Sequence, residues 1–88
     1  MKVHVKLFAT LARSVSGPIA AHYPQGIRAG SPLEVELPES STLADLVGHL
    51  GLPREELKLT FVNGRPQELD YRLAPGDEVG IFSPVGGG

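Results

Sequence analysis

Cysteine and tryptophan are missing from this sequence altogether, and aromatic residues of every kind make up only 6% of it. Without cysteine the chain has no disulfide, no thiolate nucleophile and no cysteine-based metal site, so any sulfur chemistry must use some other atom. Long apolar runs are missing too. The longest span only a few residues, far short of a membrane crossing, and Met1-Lys2-Val3-His4 is not followed by the apolar stretch of a secretory signal. A cytoplasmic location and no membrane partner are the expectation. Nor is there an excess of positive charge: a net charge of -2 and a pI near 5.8 argue against nucleic acid, which is normally met by a basic stripe.

Catalytic signatures are equally scarce. The sequence holds no phosphate loop of the G-x-x-x-x-G-K-[ST] kind, no dinucleotide glycine pattern and no G-x-S-x-G elbow. His4, His22 and His49 stand far apart with no i, i+4 pairing, so no metal site is expected. Glu55-Glu56 and Asp77-Glu78 are adjacent pairs whose side chains diverge, and they read as surface charge, not as shared acid–base groups. Lys2 and Lys6, flanking His4 on one side of a strand, read as a solvated face.

What is present is a small globular pattern. The 88 residues are 41% apolar and 20% charged, enough for one domain with one core. Residues 2–8 alternate, with Val3, Val5 and Leu7 on one side and Lys2, His4, Lys6 and Phe8 on the other, the period of a half-buried strand. Residues 9–15 carry Leu11, Ala12 and Val15 at helical spacing before Gly17-Pro18, and a short helix is expected there. Residues 16–32 contain Gly17, Pro18, Pro24, Gly26, Gly30 and Pro32, which predicts a long irregular loop. A second strand is expected over residues 33–37. Thr42 and Asp45 are spaced as a capping box, and Leu43, Leu46, Val47 and Leu50 form the apolar stripe of the main helix, stopped by Gly51 and Pro53. A third strand is expected over residues 57–62. Asn63-Gly64 is a tight-turn pair, Pro66 keeps the return arm short, Pro75-Gly76-Asp77 is a further turn, and residues 78–82 are the last strand. The order predicts an α+β domain, one helix laid across one sheet.

The last six residues are Ser83-Pro84-Val85-Gly86-Gly87-Gly88. Pro84 cannot donate to a strand ladder and biases Ser83 to extended backbone, so pairing is expected to stop there. The organisation expected is a domain over 1–82 and a tail over 83–88. From Val85 onward the tail can reach about 14 Å at roughly 3.5 Å per residue, and its glycines can thread a channel too narrow for side chains. Its carboxylate is ionised at neutral pH and a poor electrophile until activated. Composition alone leaves a linker or a frayed end equally open.

Taken together, Leu7-Phe8-Ala9, Leu37-Pro38-Glu39 with Thr42-Leu43-Ala44-Asp45-Leu46, Val62-Asn63-Gly64, and the closing run from Gly76-Asp77-Glu78-Val79 through Ile81-Phe82-Ser83-Pro84-Val85 to Gly88 resemble the MoaD/ThiS family of sulfur carriers. The resemblance covers nearly the whole chain, and Phe82-Ser83-Pro84-Val85 is nearer the branch of the molybdopterin synthase small subunit. Ser83 stands where that branch usually has a proline, and the 16–32 region is longer than in the smallest members. The resemblance implies a ubiquitin-like β-grasp fold, a mixed sheet of four to five strands on one main helix plus a short one. It also implies a carrier, not an enzyme. An E1-like adenylating partner would use ATP to activate the Gly88 carboxylate, and a sulfur donor would convert it to a thiocarboxylate. The loaded tail would then enter a second partner, similar to the molybdopterin synthase large subunit or to a thiazole synthase. This chain would bind no cofactor itself, and Gly87 and Gly88 would inherit the motif's role. A ThiS-like role in thiamin thiazole synthesis and a modifier joined to lysine through Gly88 stay open as alternatives.

Side-chain parity suggests where a partner would land. If Val3, Val5, Leu7, Val79 and Ile81 face the helix, Phe8 and Phe82 lie on the uncovered face of the sheet, and with Pro84, Val85 and Gly86 they are the expected partner-binding residues.

Overall fold

A computed structural model of the chain describes residues 1–8, 15, 21, 27, 28, 30–57 and 59–82. The short helix expected over residues 9–15 lies outside them except for Val15, which sits in irregular backbone and packs partly buried against the core. Most of the loop expected over 16–32, and the whole tail over 83–88, also lie outside the described residues.

Alternating sequence becomes alternating burial. Strand β1, Lys2–Leu7, buries Val3, Val5 and Leu7 completely and leaves Lys2 and Lys6 exposed. Strand β2, Leu33–Glu36, buries Leu33 and Val35 and turns both glutamates outward. It pairs antiparallel to β1, Val3 opposite Val35. Strand β5, Glu78–Phe82, lies parallel to β1 on its other side, Val5 opposite Val79 and Leu7 opposite Ile81. Strand β3, Leu59–Val62, runs antiparallel to β5 and carries the two-residue strand β4, Arg65–Pro66, at its outer edge. The order β2-β1-β5-β3-β4 is one mixed, five-stranded sheet, as expected.

The helix α1, Leu43–Leu50, has the start and stop read from the sequence. Thr42 Oγ1 accepts the Asp45 N–H at 3.2 Å while Asp45 Oδ2 accepts the Thr42 N–H at 2.9 Å, a reciprocal capping box. The next two N–H groups of the first turn are satisfied from outside: Leu43 donates to the Tyr71 carbonyl at 3.0 Å and Ala44 to that of Leu69 at 2.9 Å. Gly51 closes the helix in the left-handed region at φ 68°. Leu43, Leu46, Val47 and Leu50 are each at most 1% exposed and join the β1, β2, β3 and β5 side chains in one cluster. Burial of each stabilises by roughly 1.5–3 kcal/mol.

Two expectations need correction. The third strand begins at Leu59, not Leu57, because Arg54–Glu56 forms a single 3-10 turn that takes up the Leu57 N–H at 3.1 Å before the chain can join the ladder. Asp77 is not surface charge. It is 7% exposed, and its carboxylate accepts the Ala74 N–H at 2.8 Å and the Asn63 side-chain amide at 3.0 Å, which fixes the Pro75-Gly76 turn against the Asn63-Gly64 turn. Both turns use the backbone their residues suggest, with φ 52° at Asn63, 83° at Gly64 and 83° at Gly76.

Candidate partner-binding face

With α1 on one face of the sheet, the other face is defined by the alternate residues of each strand. Leu7 pairs with Ile81, and the Phe8 N–H extends that ladder by donating to the Ile81 carbonyl at 3.0 Å. Phe8 and Phe82 are therefore neighbours on adjacent strands. Their rings stack with centroids 4.4 Å apart and planes 6° from parallel. Phe61 sits opposite Gly80 on β3, diagonal to Phe82, and meets its ring edge-on at 5.6 Å and 75°. All three phenylalanines of the sequence thus form one cluster outside the core, whose buried apolar members among the described residues are aliphatic.

Phe82 at 36% and Leu59 at 47% are the exposed large apolar residues among those described, and the register sets them opposite each other on β5 and β3. Gly80 lies between the strands of Phe8 and Phe61. A Cβ there would stand 3.6 Å from Phe8 and 3.7 Å from Phe82, ordinary contact distances, so glycine is not forced by crowding. Its lack of a side chain instead leaves a floor to a shallow hollow of about 550 Å³ lined by Lys6, Phe8, Phe61, Gly80 and Phe82 among others. Phe8 is half-buried, and the loop end passes beside its ring at Gly30, whose N–H donates to the Leu7 carbonyl at 2.8 Å. Towards the other end the face turns polar: Glu34, His4 and Glu78 lie side by side on β2, β1 and β5, and Lys2 reaches Glu34 at 4.0 Å. Such exposed ion pairs contribute little. The face is thus apolar at the end where β5 finishes and charged at the opposite end.

Of the residues expected to act, Phe8 and Phe82 are brought together as parity required, whereas Pro84, Val85, Gly86, Gly87 and Gly88 lie outside the described residues. Phe61, Leu59 and Gly80 were not anticipated. The signal was available in β3, where burial of Val62 sends Phe61 and Leu59 to the opposite side. Among the described residues no group of three His, Asp or Glu side chains could hold a metal ion, and no helix is long and apolar enough to cross a membrane.

The ThiS family model matches residues 22–88, from the long loop through the final glycine. The chain belongs to the ThiS family. No curated protein sequence matches it. Among solved structures it is similar to a Pyrococcus furiosus protein assigned as molybdopterin converting factor subunit 1, at 28% identity and TM-score 0.65 over 96% of this chain and 98% of that one. It is also similar to small archaeal modifier protein 1 of Haloferax volcanii. One structure of that protein matches at 25% identity and TM-score 0.65 over the whole of both chains. Another, at 21% identity and TM-score 0.64 over 94% of this chain and 97% of that one, shows the shared fold. The sheet order with one capped helix is the ubiquitin-like β-grasp fold, and this ThiS-family chain has the architecture of a small sulfur carrier whose relatives generally work with E1-like and synthase partners.

Proposed function

We propose that this chain carries sulfur on the Gly88 carboxylate for molybdopterin biosynthesis. In this reading residues 1–82 are the body and 83–88 the working tail. An E1-like partner joins the carboxylate to AMP with release of pyrophosphate. A sulfur donor then displaces AMP to leave a thiocarboxylate, and a partner resembling the molybdopterin synthase large subunit draws the sulfur off. ATP belongs to the activating partner.

The observation that carries the proposal is the position of Phe82. It is the centre of the partly exposed aromatic cluster and also the last residue before the tail, so a partner seated on Phe8, Phe61 and Phe82 would hold the residue from which the tail departs. Large exposed aromatics are typical interface anchors. Support for the family chemistry comes from a match that runs through Gly86-Gly87-Gly88. Support for the molybdopterin branch comes from the Pyrococcus likeness and the Phe82-Ser83-Pro84-Val85 run.

A second reading has its own observation: the full-length likeness to a Haloferax protein named a modifier favours conjugation of Gly88 to lysine. Intact mass after incubation with an E1-like enzyme, ATP and a sulfur donor separates the two. Replacement of one oxygen by sulfur supports the carrier, and lysine adducts of other proteins support the modifier. An unchanged mass under sulfur-replete conditions contradicts both.

A further inference from the structure

Asparagine occurs once in this sequence, at position 63, and glycine follows it. The pair is chemically special. The backbone nitrogen of a following glycine, unhindered by a Cβ, can attack the side-chain carbonyl carbon of asparagine. A C–N bond forms, the carboxamide C–NH2 bond breaks, ammonia leaves, and a five-membered succinimide remains. Water then opens the ring at one carbonyl or the other, giving aspartate or isoaspartate. Water is the only co-reactant.

The fold exposes this pair and restrains it at once. Both residues are exposed at a hairpin tip, and a Cβ on Gly64 would meet nothing within 4 Å, so no side chain from outside the turn crowds the glycine. The carboxamide, however, is held. Asn63 Nδ2 donates to Asp77 Oδ1 at 3.0 Å, and Asn63 Oδ1 accepts the Glu78 N–H at 3.0 Å. The Asn63 N–H donates to the Glu78 carbonyl at 2.7 Å, which anchors the residue itself. Asp77 is in turn immobilised by burial and by the Ala74 N–H. Cyclisation requires the carboxamide to swing towards the Gly64 nitrogen, and both side-chain hydrogen bonds must break first.

We infer that Asn63 is this chain's site of spontaneous deamidation, and that its hydrogen bonds to Asp77 and Glu78 hold the reaction off while the protein is folded. The change runs one way. A carboxylate at position 63 would face the Asp77 carboxylate where an N–H donor had been, and isoaspartate would add a backbone carbon to a two-residue turn. Either product loses the amide donor to Asp77 that ties the end of β3 to the start of β5. Deamidation is therefore an age mark written at the charged end of the sheet, where β3 ends and β5 begins.

The full chain, incubated at mildly alkaline pH and body temperature either folded or unfolded in guanidinium, gives the test by peptide mass mapping of residue 63. Conversion should be on the order of a hundredfold slower in the folded protein, the effect of losing one neutral and one charge-assisted hydrogen bond. In Asp77→Asn the single amide oxygen cannot serve both Ala74 and Asn63, so folded-state conversion should rise roughly tenfold with the fold intact by circular dichroism. Equal rates in folded and unfolded wild type would overturn the inference, as would an unfolded chain that leaves Asn63 intact or an unchanged rate in folded Asp77→Asn. Should Asp77→Asn fail to fold, the wild-type ratio alone decides.

Discussion

The two faces of the sheet are built from the same strands by different rules. Towards α1 the apolar side chains include Val3, Val5, Leu7, Val62, Val79 and Ile81, aliphatic and at most 2% exposed, beside the buried hydroxyl of Thr60. Away from it stand Phe8, Phe61 and Phe82, aromatic and partly exposed, around a glycine that leaves a hollow. A chain so poor in aromatic residues places none of its phenylalanines in the core. The inner face therefore accounts for folding, and the outer face offers area that folding does not use.

Variants on the two faces should separate accordingly. The largest effect is expected from Leu46→Ala, which empties a fully buried site in α1 and should cost about 2–5 kcal/mol in urea unfolding. A loss below about 1 kcal/mol would mean that the helix does not dominate the core. Asn63→Asp, the product of deamidation, should cost about 1–3 kcal/mol, because it trades a donor to the buried Asp77 for a second carboxylate. Phe82→Ala should weaken binding of an activating partner by roughly 1–3 kcal/mol in calorimetry. Its stability cost should be below that of Leu46→Ala, about 1–3 kcal/mol, since a partly exposed ring and its contacts with Phe8 and Phe61 are lost. Unchanged affinity would return Phe82 to a packing role. Thr42→Ala should cost about 1 kcal/mol by thermal melting and leave partner affinity alone, as it removes only a helix cap. Gly80→Ala is the smallest change for the fold, a gain of up to about 1 kcal/mol, because a strand glycine is replaced where its Cβ meets only ordinary contacts. If it stabilises the fold while weakening partner binding, the hollow belongs to the interface.

Much of this was legible in the residue order. Period-two alternation gave β1, β2 and β5, and Thr42, Asp45 and Gly51 gave both ends of α1, because capping and glycine geometry act over three or four residues and need no tertiary context. What could not be read were features with no strong local signature or joined across long separations. The 3-10 turn at Arg54–Glu56 has no strong local signature, and its residues read as an approach to a strand. Asp77 looked like a surface acid because burial of a carboxylate depends on partners such as Asn63, fourteen positions away. At the candidate site, parity found Phe8 and Phe82. Locating the third strand does not by itself find Phe61; its faces must also be assigned, and Val62 next door contains the answer. The segment from Gln67 to Leu73, whose Leu69 and Tyr71 supply carbonyls to the start of α1, carries no periodic signal at all.

The most direct test compares the intact chain with one lacking Gly88, each incubated with the same E1-like enzyme, ATP and sulfur donor. The account predicts sulfur on the terminal carboxylate of the full chain and none on the truncated one, with both showing the same unfolding curve. Equal loading of the two, or sulfur located anywhere other than Gly88, would contradict it.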